Sequence, residues 1–115
     1  MTATPIDLDH LACYTGGDRT LNTEILRLFN GQVNSMVDEL LAVLQQRDVR
    51  KWRQVTHTLK GAARGVGAFA MGDAAAAAEP IDPGLSQDRA IQVIETLRIE
   101  GEAVQAFIED YLAAA

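Results

Sequence analysis

The sequence predicts an all-α protein, an up-down antiparallel four-helix bundle with a short extra N-terminal helix, built as a single domain over residues 1–115. Apolar residues recur at three- and four-residue steps through several long stretches. Hydrophobic residues make up 48% of the chain and aromatic residues only 5%, which indicates a core of aliphatic and alanine side chains. The three prolines lie outside the long periodic stretches, so they break none of the predicted helices.

The first predicted helix is short and the second is long. Residues 7–14 are expected to form a helix that begins at Asp7 as its N-cap and ends at the glycines that follow. The second helix is expected over about 21–45, with Asp18 or Thr20 as its cap. Its predicted buried side follows helical spacing and comprises Leu21, Ile25, Leu28, Phe29, Gln32, Met36, Leu40, Val43 and Leu44.

The third predicted helix is the most clearly amphipathic element of the chain. It is expected over about 48–66, with Asp48 as its cap and with Gly65 and Gly67 at its end. Its apolar side comprises Trp52, Val55, Leu59, Ala62, Ala63 and Val66. Trp52 either anchors the packing or lies partly exposed at the end of the bundle, and the sequence leaves both open.

Two further helices complete the predicted bundle. Residues 68–79 form a short helix rich in alanine, whose small side chains allow a neighbouring helix to approach closely. A turn over 80–84 leads to a last helix that Ser86 caps and that continues to about residue 112. Gly101 is expected to weaken the middle of this helix. Its predicted buried side comprises Ile91, Ile94, Leu97, Val104, Phe107, Ile108 and Tyr111.

Composition argues against several classes of partner and location. The net charge of −6 makes nucleic acid an unsuitable partner. No apolar run reaches the roughly 18 residues of a membrane span, and the first residues lack the features of a signal peptide, so we expect a cytoplasmic protein with no membrane partner. Cys13 is the only cysteine, so no intrachain disulfide forms, and a small buried side chain is expected there rather than a catalytic thiol. A monomer is expected.

His57 lies in the middle of the polar side of the third helix, within a concentration of positive charge. Six of the ten Lys and Arg residues lie in the segment 47–64. Helical side chains lean toward the N-terminus, so Lys60 and Gly61 are expected over the His57 ring. A glycine inside a helix costs about 1 kcal/mol relative to alanine. The glycine therefore indicates that another molecule approaches His57 closely, and the alternative is an ordinary solvated histidine on a charged helix face.

The rest of the sequence limits what His57 can do. An exposed neutral imidazole is a good nucleophile near neutral pH. The sequence has no Gly-rich phosphate loop and no kinase signature, so no ATP-dependent kinase activity of its own is expected. No His, Cys, Asp or Glu stands three or four residues from His57, so no metal site is expected. A general-base enzyme is a further alternative, but no second catalytic group is evident. His57 can thus accept a group and pass it on.

The segment His57–Gly67 resembles the signature of histidine-containing phosphotransfer (HPt) domains. It has the form His-x-Leu-Lys-Gly-Ala-Ala-x-x-Val-Gly. The Asp-x-x-x-Leu start at Asp7, the Gly-Gly-Asp turn and the helix order are also similar, so the resemblance covers nearly the whole chain. It implies a four-helix bundle and a phosphoprotein of a two-component phosphorelay. His57 is then expected to exchange a phosphoryl group, through Nε2, with aspartates of response-regulator receiver domains.

The resemblance also implies roles for other residues and partners. Lys60 is expected to offset the charge of the phosphoryl group, and Gly61 to leave clearance for the partner. A sensor or hybrid histidine kinase is expected as the second kind of partner, and no cofactor on this chain, because Mg²⁺ belongs to the receiver. Glu79 stands where many members have a glutamine, and a carboxylate there would repel phosphate rather than bind it. The predicted partner-binding residues are Arg53, Gln54, Thr58, Arg64 and Leu11.

A second function fits the same resemblance. A helical bundle of this kind can bind a receiver or a histidine kinase without carrying phosphate, as a scaffold or an inhibitor. The presence of both His57 and Lys60 favours the phosphate carrier.

Overall fold

The computed structural model describes residues 4–114, which form a bundle of helices. Of the predicted single domain, residues 1–3 and 115 lie outside the described residues. The helices are Leu8–Thr15 (α1), Arg19–Gln46 (α2), Val49–Val66 (α3), Phe69–Ala78 (α4) and Gln87–Ala113 (α5). None of these helices combines the length and the apolar character that crossing a membrane requires.

The four longer helices pack in a cycle. α2 contacts α3 and α5, and α4 contacts the same two helices, so α3 and α5 lie diagonally across the bundle. α1 lies against α2 and α3. Two residues separate α2 from α3, and two separate α3 from α4, so each helix folds back along its predecessor. The predicted all-α bundle with a short extra N-terminal helix is confirmed.

Aspartate side chains begin three of the helices. The carboxylates of Asp7, Asp18 and Asp48 each accept hydrogen bonds from backbone N–H groups in the first turn of α1, α2 and α3. All three were predicted as caps, and Asp18 rather than Thr20 has this role. Ser86 occupies the N-cap position of α5 but makes no capping hydrogen bond with its side chain.

α1 is fixed to the bundle by two polar contacts. At its start, the backbone N–H of Asp7 donates to the carbonyl of Gly67 at 2.9 Å. Gly67 ends α3 with a φ of 88°, and a Cβ there would lie 2.5 Å from the Asp7 carbonyl oxygen, so only glycine fits. At the other end of α1, the buried Thr15 hydroxyl donates to Asn22 at 2.6 Å, and Asn22 donates to the Tyr111 hydroxyl. These contacts join α1 to α2, α3 and α5.

The buried side of α2 differs from the predicted one. The prediction that Leu21, Leu28 and Gln32 are buried is wrong, because all three are exposed and Leu28 has 69% of its surface accessible. The inward row is instead Leu26, Phe29, Val33, Val37, Leu40 and Val43. α2 carries two apolar rows of helical spacing, and packing against α3 and α5 decides which of them is buried.

Two smaller predictions also fail. Ile91 on α5 is exposed, because Ala90 and Ile94 occupy the inward positions of that turn. Cys13 is exposed rather than buried, because the inward side chains of α1 are Leu11 and Thr15. Gly101 is buried where α5 packs against α2, and its weakening of α5 stays a prediction.

Replacing Gly31 and Gly101 by alanine distinguishes the effect of close packing on stability from the effect of helix propensity. Both glycines lie inside long helices, so each alanine brings a similar gain of about 1 kcal/mol. A Cβ at Gly31 meets nothing within 4 Å outside its own helix, whereas one at Gly101 would lie 2.9 Å from Val33 Cγ1. We expect Gly31→Ala to be more stable than the wild type, and Gly101→Ala to be less stable than Gly31→Ala by about 1–3 kcal/mol. Urea denaturation measures both, and equal stabilities would contradict the tight contact.

Candidate functional site

α3 presents His57 to solvent from the middle of a helix whose opposite side is buried. The inward side of α3 comprises Trp52, Val55, Thr56, Leu59, Ala63 and Val66, which confirms most of the predicted apolar side. His57 points away from this side, and 69% of its side-chain surface is accessible. The imidazole is thus held on a rigid element but open to a second protein.

Trp52 joins α3 to the end of α4. The side chain is fully buried, which decides between the two predicted placements, and its Nε1–H donates to the carbonyl oxygen of Ala78 at 2.8 Å. Small buried residues on α4, including Gly72, Ala75 and Ala78, let that helix lie close to α3. Because Ala78 is the last residue of α4, this contact places the next residue, Glu79, beside the exposed face of α3.

The Glu79 carboxylate bridges His57 and Lys60. Its Oε1 lies 3.0 Å from Nδ1 of His57, and its Oε2 lies 2.7 Å from Nζ of Lys60. Only 28% of the Glu79 side chain and 23% of the Lys60 side chain are accessible. The hydrogen bond from Lys60 and, next, the one from His57 lower the pKa of the Glu79 carboxyl. Glu79 is therefore ionised at neutral pH.

An ionised carboxylate accepts hydrogen bonds and donates none, so the contact with Glu79 requires a proton on Nδ1 of His57. In the neutral ring the second nitrogen, Nε2, then carries the lone pair. The same contact fixes the orientation of the ring. The sequence suggests that Glu79 would repel a phosphate, but the structure shows the carboxylate at Nδ1, on the side of the ring away from Nε2, with Lys60 as its counter-ion.

The other predicted site residues are partly brought together. Arg53, Gln54 and Thr58 are exposed on the same side of α3 as His57. Arg64 is directed toward α4, where its guanidinium lies 3.7 Å from Asp73. The prediction that Leu11 belongs to the partner-binding surface is wrong, because only 1% of Leu11 is accessible and the side chain fills the core beneath α1.

Gly61 leaves space above the ring, one turn after His57. A Cβ at Gly61 would contact no neighbouring helix within 4 Å, so packing inside the chain does not require a glycine there. The helix bears the cost of about 1 kcal/mol without an internal compensation. That the space serves an approaching molecule stays a prediction.

A groove between α2 and α3, which the sequence did not indicate, is lined by Gln54 and Thr58 of α3 and by Met36 and Glu39 of α2. A second hollow shares Met36 and Glu39, lies along α2 and includes Leu28. Helical spacing predicted that Leu28 is buried, because it belongs to an apolar row along α2. α2 has a second apolar row, Leu26, Phe29, Val33, Val37, Leu40 and Val43, and this row is the buried one. The presence of this competing row is the feature of the sequence that could have indicated that Leu28 is exposed.

The site suits nucleophilic chemistry at Nε2 rather than metal chemistry. Within residues 4–114, no three His, Cys, Asp or Glu side chains are grouped so that they could hold a metal ion. The ring of His57 has its lone pair in the open, a carboxylate on the opposite nitrogen and an ammonium group beside it. A carboxylate that orients a histidine in this way favours one tautomer and stabilises positive charge on the ring.

Comparisons with known proteins agree with this geometry. A family model described as the Hpt domain matches residues 24–113, which is more than three quarters of the chain. The crystal structure of histidine-containing phosphotransfer protein B (HptB) from Pseudomonas aeruginosa superposes with a TM-score of 0.84 at 24% sequence identity, covering 95% of each chain. This likeness supports the fold. A search of curated proteins gave no significant match.

The tautomer of His57 can be measured directly. We expect proton–nitrogen correlation NMR spectra at neutral pH to show His57 protonated at Nδ1 and unprotonated at Nε2, because Glu79 accepts from Nδ1. His10 is an internal control, since its ring packs against the rings of Tyr14 and Phe69. In Glu79→Gln the preference should weaken, because an amide can donate or accept. A neutral His57 ring protonated at Nε2 in the wild type would contradict the assigned contact.

Proposed function

Because the chain belongs to the Hpt domain family and has a phosphotransfer role in a phosphorelay, we propose that His57 is the residue that carries the phosphoryl group. The observation that supports this most directly is the contact of Nδ1 with Glu79, which leaves Nε2 as the exposed nucleophile. The other histidine of the chain, His10, is half-buried between two aromatic rings and has no comparable contact within residues 4–114.

Transfer is proposed to occur in line between Nε2 of His57 and a carboxylate oxygen of the partner. This chain contributes the positioning of the His57 ring and positive charge near the phosphoryl group. α3 holds the ring rigidly, Glu79 selects the tautomer, and Lys60 lies close enough to the ring to offset part of the phosphoryl charge. The Mg²⁺ that such a transfer uses is proposed to belong to the partner, so this chain acts as a carrier and has no ATP-dependent kinase activity of its own.

Proteins of this family interact with receiver domains and histidine kinases. We propose that a receiver docks over the exposed face of α3 and the groove beside it. Gly61 gives clearance above His57, Arg53 and Gln54 are exposed one turn before it on α3, and Leu28 adds exposed apolar surface on α2. A receiver presents acidic residues around its phosphorylated aspartate, so the positive charge of α3 is complementary to it. The chain is proposed to act as a monomer in the cytoplasm.

Phosphate labelling tests the central proposal. We expect the wild type, incubated with a phosphorylated receiver domain, to acquire a label that is stable in base and lost in acid, as a phosphoramidate bond is. His57→Gln should acquire none, because no other side chain among residues 4–114 has the same environment. The matched control is His10→Gln, which should be labelled as fast as the wild type. Label on His57→Gln would contradict the proposal, and binding to the receiver without any label on the wild type would favour a scaffold or inhibitor.

The clearance above His57 is tested by filling it. Gly61→Gln should slow phosphotransfer by at least about 10-fold, because the side chain lies where the partner must approach, and the helix content should be unchanged. Ala103→Gln is the matched control, since Ala103 is exposed on α5, diagonally across the bundle from α3. Circular dichroism checks the fold and the labelling assay measures transfer. Equal rates in the two variants would show that Gly61 is not needed for docking.

A further inference from the structure

Given that His57 carries the phosphoryl group as proposed above, we infer that Arg53 binds the oxygens of that group during transfer and supplies the net positive charge beside Nε2. Arg53 is exposed on α3, four residues before His57. Its guanidinium makes no ion pair within residues 4–114. This role is a contact with the phosphoryl group itself, in addition to the place of Arg53 in the proposed docking surface.

Helix geometry brings Arg53 to the turn over which the His57 ring extends. Residues four apart on an α-helix are neighbours on its surface, with Cβ atoms about 6 Å apart. By helical spacing, Arg53 lies only about 40° around the α3 axis from His57. Helical side chains lean toward the N-terminus, so the ring covers the turn that contains Arg53. Nε2 is at the outer end of the ring, so a phosphoryl group on it is within reach of a long side chain from that turn.

The charge of Lys60, the cation one turn after His57, is balanced inside the chain. Its ammonium nitrogen lies 2.7 Å from one carboxylate oxygen of Glu79, whose other oxygen lies 3.0 Å from Nδ1 of His57. The two charges of this pair are equal and opposite. The pair therefore orients the ring but adds no net positive charge where the phosphoryl group arrives.

Arg64, two turns after His57, is directed away from the ring. Its guanidinium lies 3.7 Å from the carboxylate of Asp73 on α4. Its stem lies against the backbone of α4, because a Cβ at Gly72 would be 2.9 Å from Arg64 Cγ. Among residues 4–114, Arg53 is thus the cation closest to His57 along α3 that has no acidic partner.

The chemistry of the transfer gives this cation a function. The Nε2 lone pair forms the bond to phosphorus, the bond from phosphorus to the donor's aspartyl oxygen breaks, and that oxygen keeps the electron pair. The proton on Nδ1 stays in place. Negative charge is spread over the three other oxygens of the phosphoryl group, and the planar guanidinium matches two such oxygens with parallel N–H groups. Arg53 makes this contact only as the group arrives, so it lowers the barrier relative to the separated reactants.

The experiment compares a small phosphate donor with a protein donor. The full chain in a His10→Gln background, where His57 is the only histidine, is incubated with potassium phosphoramidate or with a phosphorylated receiver domain. Phosphoramidate has no protein surface that could dock on α3. Its protonated nitrogen leaves phosphorus as ammonia and keeps the electron pair. We expect Arg53→Gln to acquire phosphate about 10-fold more slowly than its parent from both donors, a factor that allows for screening at an exposed site.

Two control variants remove a positive charge elsewhere. Arg89→Gln makes the same substitution at an exposed site on α5, diagonally across the bundle from α3. Lys51→Gln removes an exposed cation from α3 itself, about 120° around the helix axis from His57. Both should take phosphate from phosphoramidate as fast as the parent, and circular dichroism should show the same helix content in all variants.

The outcomes separate the role of Arg53 from the proposed function. Phosphate on His57 at the parent's rate in Arg53→Gln would overturn the role of Arg53 and leave the carrier function intact. Slower transfer from the receiver alone would also overturn it, because Arg53 would then contact the partner and not the phosphoryl group. Equal slowing in Lys51→Gln would replace the contact by the general positive potential of α3. A parent chain that takes phosphate from neither donor overturns the carrier function and the role of Arg53 together.

Discussion

The close contact between α3 and α4 is the constraint on which the site depends. Buried alanines and Gly72 bring the two helices together, and the hydrogen bond from the Trp52 indole to the Ala78 carbonyl fixes where α4 ends relative to α3. The residue after that carbonyl is Glu79, so a buried contact determines the position of an exposed carboxylate. A carboxylate on a flexible loop would give His57 no fixed tautomer, because its position relative to the ring would vary.

The charges of α3 have different roles according to their partners. Lys60 is held by Glu79 and Arg64 by Asp73, so part of the positive charge is used inside the chain. Arg50, Lys51 and Arg53 are exposed and make no ion pair within residues 4–114. On an acidic protein, a local surplus of free cations on the face that carries His57 favours the approach of an acidic molecule to that face over other faces.

Helix packing also decides which apolar side chains of α2 remain on the surface. Packing of α2 against α3 and α5 buries the row that contains Leu26 and Val33 and leaves the row with Leu28 in solvent. Exposed apolar side chains are suited to a transient protein contact, in which apolar burial gives affinity and charge gives orientation. The same bundle that positions His57 therefore also leaves an apolar row of α2 exposed.

The sequence by itself determined the helices, their aspartate caps, the outward position of His57 and the space at Gly61, because these follow from periodicity and from the chemistry of single residues along one helix. Only the tertiary structure decided which of two apolar rows on α2 is buried, that Leu11 is in the core, and that Gly101 packs closely against Val33. It also decided the contact of Glu79 with His57, 22 residues apart in the chain. These features depend on which helices pack together and on how far each helix is shifted along its axis relative to its neighbour. The spacing of residues along one helix contains no information about either.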